Sequence, residues 1–166
     1  MSKRDKRGIQ TLFRTLIKNH YTLLEAIDRK ASIILTINSI LISIVLGAMY
    51  LTPDELKESM ELITRVTINF ALFSMVFALI AIRPHRYKNK NSLLYAGSFT
   101  KMAKEKYREE MNAILDSGDG IYDRMIDDIY SIGQAIRSRQ HMLYISIGIF
   151  IIGLAIIFVL GMIYLN

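Results

Sequence analysis

Three stretches without a charged side chain divide the sequence into alternating apolar and polar blocks. Ala31 to Leu51 supplies 21 such residues, which as a helix rising about 1.5 Å per residue cover the roughly 30 Å of bilayer hydrocarbon. Val66 to Ile82 supplies 17 between Arg65 and Arg83, the short end of the spanning range, so its border residues must reach back to the interface. From His141 to Asn166 isoleucine, leucine and phenylalanine dominate, interrupted by Gly148, Gly153 and Gly161. The pattern predicts transmembrane helices over 31–51, 66–82 and 141–165.

The polar blocks carry helical periodicity of their own. Ile9, Phe13, Leu16, Ile17, Leu23, Leu24 and Ile27 recur at spacings of mostly three and four with Arg14 and Lys18 between them, the mark of an amphipathic helix. No breaker separates this segment from Ala31, which predicts one helix running from residues 1–30 into the first span. An interfacial helix lying flat on anionic lipid is the alternative. Arg83-Pro84 marks an exit from the second span, because proline disfavours helical geometry in the residue before it. Thr100 is placed to cap a helix bearing Tyr107, Met111, Ile114 and Leu115 on one face, and Asp116-Ser117-Gly118-Asp119-Gly120 predicts a turn. Tyr122, Met125, Ile126, Ile129, Ile132 and Ile136 then form a stripe on a helix that nothing stops before the third span. The expected architecture is all-α: an integral membrane protein whose first and third spans extend into a cytoplasmic helical bundle. So small a bundle is marginal alone, which favours a homo-oligomer.

Charge sets the orientation. Residues 1–30 carry eight lysines and arginines against three acids, and 83–140 carry eleven against eight, whereas 52–65 carry two against four. Positive residues favour the cytoplasmic side, so the amino terminus is expected inside, 52–65 outside as an extracytoplasmic loop, and the carboxyl terminus outside. These segments hold all 21 basic residues, leaving no separate basic patch to call for DNA or RNA. The chain has no cysteine, which excludes disulfides and thiolate metal sites. The first thirty residues are too polar for a secretory signal, and no cleavage is expected.

Small and hydroxyl side chains are ordered within the spans. Ser32, Thr36, Ser39, Ser43 and Gly47 lie four, three, four and four apart on one face of the first, with Asn38 off that stripe, and Thr67, Ala71, Ser74, Ala78 and Ala81 repeat the motif in the second. Two readings stand: close helix packing, or the lining of a water-filled path in an assembly. No span contains an internal Asp, Glu, Lys or Arg, against an ion-coupled transporter or a voltage sensor.

Catalytic chemistry finds no constellation. His20, His85 and His141 are scattered, Asp123, Asp127 and Asp128 read as a solvated acidic face, and Gly118 and Gly120 belong to a turn and not to a phosphate loop. No enzyme activity, metal or cofactor is expected. An anionic ligand is better served: Arg83, His85, Arg86, Lys88 and Lys90 crowd the exit of the second span, with Arg29 and Lys30 at the entry of the first. Tyr87, Tyr95 and Phe99 are interleaved there, suiting a phosphate with a stacked base. Simple membrane-flank charge is the plainer reading of the same residues.

Asp28-Arg29-Lys30-Ala31-Ser32 leading into Ile-Ile-Leu-Thr-Ile-Asn-Ser-Ile-Leu-Ile-Ser-Ile, then Arg83-Pro84, then the run Tyr122 to Gly133 before the last span, resemble the membrane-type Pycsar effector family in its stand-alone form, from about Phe13 to Phe158. Asp28, Lys30, Asn38, Arg83, Pro84, Tyr122, Asp127 and Gly133 match its motifs. Where the family places lysine followed by tyrosine ahead of the last span, this chain reads Arg137-Ser138-Arg139-Gln140-His141. The resemblance implies a bacterial antiphage effector in the inner membrane. A partner cyclase makes a cyclic pyrimidine nucleotide, cUMP or cCMP, on infection, and the effector impairs the membrane in abortive infection. The ligand phosphate is then expected on Arg83 and Arg86 beside Lys30, with Asp28 and His85 in the same cluster, and the base on Tyr87, Tyr95 or Phe99, with Tyr122 a further contact. A cyclic oligonucleotide from another defence system, or a constitutive channel or scaffold, are the alternatives.

Overall fold

A computed structural model describes residues 6–83, 102–116 and 120–164. All the regular structure among them is helical: α1 (Lys6–Leu51), α2 (Lys57–Ile82), α3 (Lys104–Asp116) and α4 (Gly120–Tyr164), with one 3-10 turn at Asp54–Leu56. Three of these helices, α1, α2 and α4, are long and apolar enough to cross a membrane. As the sequence predicts, α1 runs unbroken from the amphipathic segment through the first apolar run, and α4 through the third. Thr100, which the sequence places as a cap, and residues 117–119 of the predicted turn lie outside the described residues.

Proline sets both ends of α2. Ahead of it, Pro53 lies at φ −57° and ψ 152°, an extended geometry that stops α1. Thr52 donates to the Ala48 carbonyl at 2.8 Å, and the Leu56 amide closes the turn on the Pro53 carbonyl at 3.1 Å. Helix resumes at Lys57, so most of the connecting segment between the first two apolar runs is itself helical. Asp54, Glu55 and Glu58 sit at this helix start, where their charge complements the exposed amides. At the far end Arg83 is extended (φ −56°, ψ 132°) ahead of Pro84, and its amide divides between the Leu79 and Ile80 carbonyls at 3.2 Å each.

The chain divides into two compact units, Met1–Leu24 with Pro84–Arg137, and Glu25–Arg83 with Ser138–Asn166. In the first, Phe13 is buried and stacks on Tyr122, ring centroids 6.2 Å apart and planes 22° from parallel. Among the described residues, Ala135 and Ile136 complete its buried apolar set, while Leu23, one of the apolar positions of the amphipathic segment, stays half open.

The second unit is a three-helix bundle with inverted polarity. Buried positions are Ile27, Ala31, Asn38 and Val45 on α1, Ile63, Thr64, Thr67, Ala71, Ser74, Ala78 and Ala81 on α2, and Leu143, Ser146 and Gly153 on α4. Apart from the adjacent Ile63 and Thr64, these fall at steps of three, four and seven, the spacing of a seam between supercoiled helices. Small and hydroxyl side chains make up most of the inside, alongside Ile27, Val45, Ile63 and Leu143, while Phe73 and Leu79 on α2 are 62% and 56% exposed. In water that distribution wastes the hydrophobic effect; in lipid, large apolar groups are solvated by acyl chains and helices associate through small residues and hydrogen bonds. Gly153 marks a close approach: a Cβ there would lie 2.7 Å from the Phe70 Cβ.

Candidate functional site: a clasp across the span ends

The bundle carries two polar layers. The first joins Asn38, Ser74 and Ser146, one from each helix and all fully buried. Asn38 Nδ2 donates to Ser74 Oγ at 3.1 Å and to the Ile34 carbonyl of its own helix at 2.9 Å. Ser146 Oγ donates to the Ser74 carbonyl at 2.7 Å, and Ser74 Oγ returns toward the Ser146 carbonyl at 3.1 Å. Asn38 Oδ1 is buried with no partner.

The second layer lies where α2 ends. The final carbonyls of a helix have no donor of their own, and Pro84 has no N–H to offer. Arg139 on α4 fills that gap: Nε donates to the Ala81 carbonyl at 2.6 Å and Nη2 to the Ile82 carbonyl at 3.0 Å. Nη2 also pairs with Asp28 Oδ1 of α1. One guanidinium therefore ties all three helices, using the planar fork that distinguishes arginine from lysine. Its side chain is 11% exposed and that of Asp28 45%, so water reaches the carboxylate much more freely than the cation.

The predicted site residues are distributed as follows. Asp28, Lys30 and Arg83 belong to this unit, Lys30 and Arg83 exposed and Asp28 half-buried in the clasp. Tyr122 belongs to the other unit, stacked on Phe13. His85, Arg86, Tyr87, Tyr95 and Phe99 lie outside the described residues. The small-residue positions of α1 separate into two faces. Asn38 points into the bundle, whereas Ser32, Thr36, Ser39, Ser43 and Gly47 are all exposed. The hydroxyls of Thr36, Ser39 and Ser43 return to carbonyls four residues back, at 3.0, 2.9 and 3.0 Å. On α2 the corresponding stripe is packed inside the chain.

Sequence reasoning missed Arg139 and Ser146. Ser146 is a single hydroxyl in an apolar run. Arg139 reads as ordinary flanking charge unless it is set against an unpaired Asp28 and a helix that ends at a proline.

The clasp, the inward Asn38 and the proline-ended α2 bring motif residues from two separated parts of the sequence together with Arg139 and Ser146 of α4, and the Pycsar effector protein domain (PycTM) matches residues 11–165. The chain belongs to the Pycsar effector family. No curated protein and no solved structure matches it. Family membership makes this chain an antiphage effector, and its three apolar helices make it a membrane protein. In this Pycsar effector the family-matched Asp28 is the carboxylate of the clasp and the family-matched Asn38 the amide of the inner layer.

Proposed function

We propose that this Pycsar effector senses a cyclic pyrimidine mononucleotide, cUMP or cCMP, made by a partner cyclase, and answers by impairing the bacterial inner membrane, ending infection by abortive death of the cell. No catalytic step is required: binding energy shifts the helices between two arrangements, and the ligand acts only through its differential affinity for them. Coupling of about 1–3 kcal/mol is typical of such systems, and a homo-oligomer multiplies a bias of that size across its sites. The amino terminus faces the cytoplasm, where the ligand is made, and the carboxyl terminus faces outward.

The observation that carries this reading is the family match over residues 11–165 on a chain with three spanning-length helices. The candidate ligand residues remain those the sequence offers, Asp28, Lys30, Arg83, His85, Arg86, Tyr87, Tyr95, Phe99 and Tyr122, cations for the phosphate and rings for the base. The outward face of α1, with Ser32, Thr36, Ser39, Ser43 and Gly47, is the surface for self-association or for lining a hydrated path. Its exposure in the single chain supports that assignment. Thermal-shift titration of the detergent-solubilised protein with cUMP, cCMP and cyclic oligonucleotides is the direct test. Stabilisation by a cyclic pyrimidine mononucleotide, lost in an Arg83→Ala/Arg86→Ala variant, is the expected result. Stabilisation by a cyclic oligonucleotide alone moves the protein to another defence signal, and no response to any of them refutes ligand gating.

A further inference from the structure

The ties among the three helices of the membrane unit are unequal. Between α2 and α4 run the exchange of Ser74 and Ser146, the bonds from Arg139 to the Ala81 and Ile82 carbonyls, and the approach of Gly153 to Phe70. Within the membrane unit, α1 meets its neighbours through the polar bonds of Asn38 to Ser74 and of Asp28 to Arg139. The carbonyl bonds of Arg139 are durable, because α2 ends in groups with no helical donor and Pro84 has no N–H. The bond to Asp28 is exchangeable, since that carboxylate is 45% exposed while the guanidinium it meets is 11% exposed. The inner layer is incomplete as well, for Asn38 Oδ1 is buried without a partner while α1 is seated. A water arriving as α1 lifts would supply the missing donor.

The geometry points to α1 as the moving element of this effector, latched by Asp28 on Arg139 against a fixed pair of α2 and α4. Opening the latch leaves Arg139 on the end of α2 and, of the helices in the membrane unit, loosens only α1 from Glu25 onward, whose outer face carries the exposed hydroxyls. An anion approaching from solvent competes with the Asp28 carboxylate for the one guanidinium, which connects ligand arrival to helix release. This mechanism rests on the reading of the chain as a gated membrane effector.

The test uses the full chain in phosphatidylethanolamine/phosphatidylglycerol vesicles loaded with a fluorescent dye. Asp28→Ala is expected to raise dye leakage without nucleotide at least about fivefold, the lower end of typical coupling between sites. Asp54→Asn, which breaks the Lys57 pair at the far turn, should leave leakage at the parental level. Because the chain has no cysteine, the pair Asn38→Cys and Ser74→Cys pins α1 to α2 on oxidation. The oxidised pair should suppress leakage in the Asp28→Ala background and block nucleotide-induced leakage in the otherwise parental chain, with reductant restoring both. Leakage from the oxidised pair, or parental leakage from Asp28→Ala protein with a parental melting transition, overturns the latch. If the parent leaks with cUMP or cCMP while Asp28→Ala stays silent, the latch falls and ligand sensing stands. If Asp28→Ala leaks while the parent answers no nucleotide, the latch stands and that sensing falls. Silence of both overturns both.

Discussion

Replacing Gly153 by alanine tests the packing of the membrane unit most sharply, because the glycines of the same helix supply internal controls. A Cβ at 153 would lie 2.7 Å from Phe70 Cβ, 3.0 Å from its Cγ and 3.3 Å from Cδ1, whereas nothing lies within 4 Å of one at Gly148. Carbon atoms pack best at about 3.5–4.0 Å, so α2 and α4 must separate by about 1 Å to admit the methyl group. Overpacking of this kind costs about 1–3 kcal/mol. Both substitutions also gain helix propensity, about 0.8–1.0 kcal/mol for glycine to alanine in a soluble helix. That gain cancels in the comparison, leaving Gly153→Ala less stable than Gly148→Ala by about 1–3 kcal/mol, the overpacking term alone. Reversible unfolding in dodecyl maltoside micelles with increasing dodecyl sulfate measures the difference. Phe70→Ala should rescue only in part, since it keeps the Cβ that makes the shortest contact, whereas Phe70→Gly should remove the Gly153→Ala penalty, so that the double-mutant cycle returns the whole overpacking term as coupling. Equal stability of the Gly153→Ala and Gly148→Ala proteins would refute the close approach.

Ser74→Ala should destabilise more than Asn38→Ala in the same assay. Ser74 bonds both neighbours, and each such bond in a membrane is worth about 0.6 kcal/mol with a ceiling of about 1.7, while removing Asn38 also removes the unpartnered Oδ1. For Phe13 and Tyr122, stacked at 6.2 Å, a double-mutant cycle to leucine should return a coupling of about 0.5–1.5 kcal/mol, and zero coupling would exclude a packed aromatic pair. Single cysteines on the outer face of α1, at Ser39 and Ser43, should cross-link copies in native membranes faster than cysteines at Ile40 and Ile44, which are exposed too; equal rates would exclude a preferred interface.

How much of the molecule was legible in the sequence depended on which force governs each feature. The three spanning-length helices were, because a charge at membrane depth is costly, and long stretches without one are what a hydrocarbon solvent demands of a helix that crosses it. The packed stripe on α2 was also readable, and so was the end of α2 at Arg83-Pro84. The packed face of α1 was not. Its hydroxyl stripe and its buried positions Ala31, Asn38 and Val45 both repeat at helical spacings, and small residues favour close approach without saying whether the partner is the same chain or another copy. Arg139 was hidden because the preference of positive residues for the cytoplasmic flank already accounts for an arginine two residues before an apolar run. Only its placement beside Asp28 and the unmatched carbonyls of α2 separates a structural cation from a topological one.

The inverted polarity of the bundle explains why so few polar bonds carry so much. In water, withdrawing the large side chains of α1 from a core would hold that helix by area, at about 25 cal/mol per Å². In lipid, Ile40 and Ile44 are already at home on the outside, 54% and 62% exposed, and moving α1 changes their solvent from one hydrocarbon to another. Within the membrane unit, what remains to seat α1 is the fit of Ile27, Ala31 and Val45, one amide and one carboxylate. A helix held by packing of small residues and two polar contacts is balanced finely enough for a binding event of a few kcal/mol to move it. A soluble three-helix core of the same length, sealed by buried leucines, would need far more.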